Sequence, residues 1–301
     1  MPSTLKWKSK NCSVCGSTFT CGAMDSNQQC WCNDFPAIMP LDFGQDCRCP
    51  ECLKKIVAEK IAEFMNLPKA IFCWSGGKDS AYGLHKLRLD KTHDVQYLLT
   101  TINDTSRRVS MHGVREELLD RQAEAAGIKL LKVRVSEGTN SEYERQMEAV
   151  LLNAKAQGIH HVIFGDIFLE DLRAYREKNL QKVGMQGVFP LWKMDSQWLI
   201  HDFIRRGFKS ITCCVNDSCL GKEWVGKEID AAFVRGLPAH VDPCGENGEF
   251  HTFCHAGPLF KKAISFSLGE KVYKALEVKT DNVCPSSSNT KGFWFCDLIP
   301  R

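Results

Sequence analysis

The stretch Phe72-Cys-Trp-Ser-Gly-Gly-Lys-Asp-Ser80 gathers two adjacent glycines, a lysine, an aspartate and two serines into a few positions. Such a set suits phosphate. Gly76 and Gly77 present no side chain that would hold anion oxygens off the backbone, Ser75 and Ser80 bring hydroxyl donors, and Lys78 brings a cation. A helix starting here would add its first-turn amides and its dipole. The stretch lacks the longer GxxxxGK spacing of the common nucleotide-hydrolase loop, and a tight turn ahead of a helix would use the same residues.

Two further stretches carry chemistry. Gly165-Asp-Ile-Phe-Leu-Glu-Asp-Leu-Arg-Ala-Tyr-Arg-Glu177 follows an apolar run, which puts Asp166 at the carboxyl end of a strand, where open parallel sheets bind ligands. Glu170, Arg173 and Glu177 recur at three and four residues, so they share one helix face, turned either to a cleft or to solvent as ion pairs. Glu246-Asn-Gly-Glu-Phe-His-Thr-Phe253 offers two acids and an imidazole, and on a strand Glu249 and His251 would point the same way. A polar turn has the same composition. His112, beside Gly113, fits a ligand contact or a packing role equally, and His160 and His161 read as structural. Cys213 and Cys214 read as core, and Cys244 would be a nucleophile only with a base that the sequence does not specify.

These stretches need a frame. Apolar runs at 70–74, 95–101, 128–135 and 160–167 read as strands buried on both faces, and 80–90, 113–126, 141–157 and 169–182 read as helices between them. The alternation predicts an α/β fold with a parallel sheet and right-handed crossovers. Beyond about residue 186 the pattern becomes mixed: a Pro-interrupted strand at 187–192, a helix at 196–207, a strand at 209–216, a helix at 223–235, a long loop, and three strands within 260–268, 270–278 and 293–299. The loop at 237–260 is long enough to expect function of it, and the Pro-Ser-rich tract before the last strand reads as a turn.

Eight of the sixteen cysteines fall between Cys12 and Cys52, spaced C-x2-C-x5-C-x8-C-x-C-x14-C-x-C-x2-C with few aliphatic residues among them. Such a segment cannot build a core and must be stapled. Cys12, Cys15, Cys21, Cys30, Cys32, Cys47, Cys49 and Cys52 make two tetrathiolate sets, the number for two tetrahedral zinc ions of structural type, with their pairing left open. Disulfides suit an oxidising compartment, and the C-x-C pairs do not favour an iron–sulfur cluster. The expected organisation is a cysteine-rich module at 1–55, a linker helix at 56–68, a phosphate-loop domain at 69–185 and a smaller mixed α/β substrate domain at 186–301.

With 39 basic and 36 acidic residues the net charge is +3, too small to argue for a nucleic-acid partner. No apolar run approaches a membrane span and no apolar segment follows the basic first ten residues, so the expectation is a cytoplasmic protein with no membrane contact.

The loop Ser75-Gly-Gly-Lys-Asp-Ser80 resembles that of the PP-loop ATP pyrophosphatases. The stretches 111–128, 165–177, 188–192 and 242–253, in that order, are similar to the diphthine-ammonia ligase family of those enzymes, so the resemblance runs from residue 70 to about 265. It implies a Rossmann-like sheet of the HUP type and ATP as cofactor, held by Ser75, Gly76, Gly77, Lys78, Asp79, Ser80, His112, Gly165, Asp166, Arg173 and Glu246. It also implies catalytic roles for Lys78, Asp79, Glu249 and His251, and Mg2+ near Asp79. The implied reaction adenylates a carboxylate, small or protein-borne, releases pyrophosphate, and lets ammonia displace AMP. Diphthine on elongation factor 2 is the acceptor in eukaryotic and archaeal members. The Cys30-Trp-Cys32 element resembles a CWC module of bacterial proteins, which would point to another carboxylate. Relatives often carry an acid where Ala256 precedes Gly257-Pro258, which leaves a catalytic acid there in question. The alternatives are a PP-loop enzyme of RNA modification and an ATP-sensing protein without catalysis.

Overall fold

The computed structural model describes residues 8–21, 32, 47–135, 140–276 and 290–301, and Cys30 and most of the 285–292 turn lie outside them. The chain divides into two compact units, Met1–Leu67 and Pro68–Arg301.

In the first unit, β1 (Lys8–Asn11) and β2 (Thr18–Cys21) form an antiparallel hairpin in which Lys8 faces Cys21. Helix α1 runs Pro50–Met65, so the helix expected from 56 starts six residues earlier, among the cysteines. Proline fits the first helical position because its missing N–H would have no partner there.

The second unit is built on a mostly parallel sheet. Its elements are β3 (Lys69–Cys73), α2 (Lys78–Asp90), β4 (Asp94–Asn103), β5 (Arg108–Val109), α3 (Glu116–Ala126), β6 (Lys129–Val135), α4 (Asn140–Ala156), β7 (His161–Ile163), α5 (Glu170–Val183) and β8 (Gln186–Val188). The parallel order is β6-β4-β3-β7-β8, and β5 adds an antiparallel edge to β4. Alternate residues of each strand feed opposite faces: Ala70, Phe72 and Leu98 pack on one side, Ile71, Leu99 and Val162 on the other. Fully burying side chains such as Phe72 or Leu98 stabilises by about 1.5–3 kcal/mol each, which is why these runs read as strands.

A second, antiparallel sheet follows, in the order β10-β9-β12-β11, from β9 (Lys209–Asn216), β10 (Phe250–Ala256), β11 (Phe266–Ala275) and β12 (Gly292–Pro300). Helix α6 (Ser196–Arg205) precedes β9 in the chain and α7 (Ala231–Gly236) lies between β9 and β10. Three local expectations change. The helix expected at 223–235 is a short 3-10 turn at Lys222–Trp224 followed only later by α7, whose N-cap Asp230 accepts from the Phe233 amide. The two strands expected around Gly269 are one strand, β11, with a register shift between Leu268 and Lys271. The strand expected at 187–192 ends at Val188, before Pro190. The parts expected at 69–185 and 186–301 pack into one compact unit. Among the described residues no helix is long and apolar enough to cross a membrane.

Candidate functional site

Strand β3 delivers the chain to the loop Trp74–Gly77, and Lys78 opens α2. The neighbours β4 and β7 flank β3, with the chain winding outward to either side, so the loops after β3 and β7 meet where the strand order reverses. Their approach is close. A Cβ on Gly165 would stand 3.2 Å from both the Asp79 carbonyl carbon and the Ser80 amide nitrogen. Gly76 sits at φ +79°, where a Cβ would lie 2.5 Å from Leu119 Cδ1, so glycine is required by conformation and by space. The hydroxyls of Ser75 and Ser80 lie 2.6 Å apart, and Ser75 Oγ accepts from the Gly77 amide at 3.2 Å.

Lys78 is 1% exposed and donates to both oxygens of Asp79, at 2.6 and 2.8 Å. Burial works against its charge, but Asp79, with Cys244 and Glu246 farther off, outweighs burial and holds the ammonium above its ordinary range. The Asp79 carboxyl is raised, first by burial and then against the pull of Lys78, with Asp242 adding repulsion. Glu246 reaches this cluster from the long loop. Its Oε1 accepts from the Ile167 amide at 2.6 Å and the Phe168 amide at 3.3 Å, so it ties that loop to the end of β7. Asp242 shapes the loop from inside, its Oδ1 accepting from the amides of Cys244 and Glu246 and its Oδ2 from Ser196 Oγ.

The rings of His112 and His251 lie against each other, tilted by 39° with centroids 4.8 Å apart, and His112 Nδ1 lies 2.9 Å from the Thr252 carbonyl oxygen. Burial lowers His112 to about 4 and His251 to about 3, so both imidazoles are neutral near pH 7. Glu249 does not join His251. It precedes β10, is 3% exposed, and its Oε1 accepts from the Asp242 amide at 2.9 Å and Asn247 Nδ2 at 3.0 Å. Glu249 Oε2 and His251 Nε2 are buried with no hydrogen-bond partner. Asp166 pairs with Arg176 at 2.7 Å, and burial raises its carboxyl. Arg173 instead pairs with Glu177 at 2.8 Å and lies over the rings of Phe189 and Trp192, 4.6 Å from each.

Sequence reasoning missed the residue that ties these parts together. Gln122 is fully buried, donates from Nε2 to the carbonyls of Gly76 at 2.9 Å and Cys254 at 2.6 Å, and accepts from Trp74 Nε1 at 2.9 Å. The Cys254 amide donates back to the Gly76 carbonyl at 2.9 Å, and Thr252 Oγ1 accepts from the Lys78 amide at 3.0 Å. A glutamine on the apolar Leu118–Leu119–Ala123 face of α3 was the available signal, since a buried amide requires partners.

The site has a pH signature. Glu246 is pushed up to about 7 from 4.5, chiefly by burial and then by Asp79. Between those values the folded chain holds a proton that the unfolded chain releases, so this group makes stability fall as pH rises. Glu246→Gln is expected to remove that slope, by at most about 3 kcal/mol, in urea unfolding compared at the two ends of the window. The lowered histidines run the other way, their contribution being lost as pH falls, and they are unchanged in the comparison. A Glu246→Gln slope equal to the parent's would overturn the assignment.

In the first unit, Cys12, Cys15, Cys49 and Cys52 bring their sulfurs within 4.8 Å of one another. Cys21 and Cys47 place theirs 3.7 Å apart, and Cys32 is exposed.

The diphthamide synthase N-terminal domain model matches residues 68–187 and the diphthamide synthase C-terminal domain model matches 195–281. The chain is 26% identical to the diphthine–ammonia ligase of Mus musculus, over 66% of this chain and 82% of that one. It is 26% identical to that of Danio rerio, over 66% and 86%. With the ligase of Schizosaccharomyces pombe it shares 25% identity over 63% of this chain and spans about a third, 34%, of the relative's length. A solved U34-tRNA thiolase, NcsA of Methanococcus maripaludis, is 16% identical over 65% of this chain and 72% of that one, with a TM-score of 0.30. Two family models in sequence order, meeting across the loops that converge on Lys78, place the chain in the diphthamide synthase family.

Proposed function

We propose that Pro68–Arg301 is an ATP-dependent amide ligase that forms AMP and pyrophosphate, acting on a carboxylate of the diphthine class or another carboxylate, with ammonia as the nitrogen donor. One observation carries the reading: a buried lysine paired to Asp79 at the opening of α2, where the loops after β3 and β7 and the Glu246 loop converge. The curated relatives' names supply the reaction class.

In this reading Lys78 and the loop amides draw the β- and γ-phosphates. The hydroxyl partners that Gly77 N and Lys78 N now have, Ser75 and Thr252, can yield them to phosphate oxygens. A substrate carboxylate oxygen bonds to the α-phosphorus as the bond to the bridging oxygen breaks, and pyrophosphate leaves. The ammonia nitrogen then bonds to the acyl carbon, AMP leaves, and the proton shed by nitrogen needs an acceptor. The proton passes to water or to the departing phosphate, while the neutral His251, which burial lowers to about 3 and whose Nε2 lacks a partner, can accept a hydrogen bond that orients the ammonia. The charge of this cluster suits Mg2+: Asp79 and Glu246 repel each other's ionised forms and would hold the ion with phosphate oxygens, where it would neutralise the departing charge. Zn2+ is the metal we propose for the cysteine-rich unit.

The test is product identity. With ATP labelled at the α-phosphate, Mg2+, ammonium and a set of carboxylates including a diphthine-bearing protein, labelled AMP is expected. Labelled ADP, or tight ATP binding with no turnover on any carboxylate, would sink the proposal.

A further inference from the structure

We infer that Cys12, Cys15, Cys49 and Cys52 form one closed, mononuclear tetrathiolate site for Zn2+, and that Cys21 and Cys47 belong to a different set. Eight cysteines allow many partitions into fours, and the spacing does not choose among them. The fold does. The turn after β1 presents Cys12 and Cys15, and the start of α1 presents Cys49 and Cys52. All four sulfurs lie within 4.8 Å of one another, and Cys15 Sγ is 3.7 Å from Cys49 Sγ.

Distance discriminates among the chemistries. Four sulfurs at about 2.3 Å from one zinc in a tetrahedron stand about 3.8 Å apart. A disulfide would bring two of them to about 2.05 Å, and all four cysteines are free. A cluster of several irons gives each iron its own thiolates and spreads the set wider than a single ion does. The surroundings also suit thiolate charge: the Val14 amide points at Cys12 Sγ at 3.4 Å and the Cys52 amide at Cys49 Sγ at 3.5 Å. Gly16, at φ +73°, turns the chain directly after Cys15, and its amide donates to the Cys12 carbonyl at 2.9 Å. Each half is a short C-x2-C arch, and the two come from segments 34 residues apart in sequence, so one ion would close the chain between them. Cys21 and Cys47, 3.7 Å apart, lie outside this set. The inference is independent of the ligase reading, because it concerns the other unit.

The full chain tests it without a variant. After exposure to an alkylating reagent with and without a strong chelator, peptide mapping should find Cys12, Cys15, Cys49 and Cys52 protected together and released together, with zinc released in step. Elemental analysis of dialysed Cys12→Ser and Cys49→Ser should find one zinc equivalent fewer than in the parent, and Cys21→Ser should keep that equivalent. Alkylation of the four thiols regardless of chelator, a full zinc complement in Cys12→Ser and Cys49→Ser, or iron with acid-labile sulfide in place of zinc would each overturn the assignment.

Discussion

Lys78→Met is expected to lower the kcat/KM for AMP formation by at least about a thousandfold, a loss of about 4 kcal/mol of transition-state stabilisation. Its ammonium is buried and is held charged by Asp79 2.6 Å away, so it is a fixed cation that needs no reorganisation when negative charge develops on a leaving group. Methionine keeps the approximate volume and removes the charge, leaving Asp79 beside Glu246 without compensation. Asp79 is 28% exposed, so water blunts the penalty, and the cost to stability should stay at about 1–3 kcal/mol. The two effects separate experimentally. Thermal unfolding reports the smaller one, single-turnover AMP release the larger one, and retention of turnover within tenfold of the parent in a folded Lys78→Met protein would remove Lys78 from the chemistry.

The frame was legible because buried parallel strands write themselves as apolar runs. Ala70-Ile71-Phe72 and Leu98-Leu99 have no polar face to disguise them, and Gly127 and Gly184, each at positive φ, close α3 and α5 where glycine was available to do so. The antiparallel half was less legible. Gly269 separates two apolar runs but is accommodated by the register shift within β11, and the helix-like spacing of the buried Val225, Ile229 and Phe233 hides a 3-10 turn, a non-helical stretch and a short helix capped by Asp230.

Within the site, residues that announce chemistry by type stand out in the sequence, and those that work by position do not. Glu249 and His251 share a parity that predicts a common direction, yet Glu249 lies just before β10 and gives one carboxylate oxygen to the loop's own Asp242 amide, while His251 lies tilted against His112. Asp166 finds Arg176 because the helix that follows it presents that residue, while Arg173 one turn away lies on an aromatic surface. Helical spacing alone leaves both arginines eligible. The cysteine partition was unreadable for a comparable reason, since it turns on a contact between Cys15 and Cys49, 34 positions apart in sequence, that no local spacing encodes.

Gln122→Leu tests the residue that joins the loop to the second sheet. Leucine is close in volume, so the substitution isolates hydrogen bonding from packing. Two buried groups, the Trp74 indole N–H and the Cys254 carbonyl, would lose their Gln122 bond, and the Gly76 carbonyl would keep only the Cys254 amide. At about 1–3 kcal/mol for each group left unsatisfied, a destabilisation of about 3–5 kcal/mol is expected in urea unfolding. The loop should suffer too, because Gly76 is held in its left-handed conformation between Leu119 and Gln122. A shift of about 1 Å in a phosphate-binding loop is enough to cost about a hundredfold in rate. Because Gln122 touches only protein groups, its loss should reach kcat through loop position, with a rise in KM for ATP alongside. Gln122→Glu sharpens the reading: an ionised glutamate still accepts from Trp74 but cannot donate to the two carbonyls, so its defect should shrink as the pH is lowered and the carboxyl becomes a donor. A Gln122→Leu protein with parental stability and parental KM would show that the loop keeps its shape without this tie, and the convergence of the three segments on Lys78 would then have to rest on Thr252 and Glu246 alone.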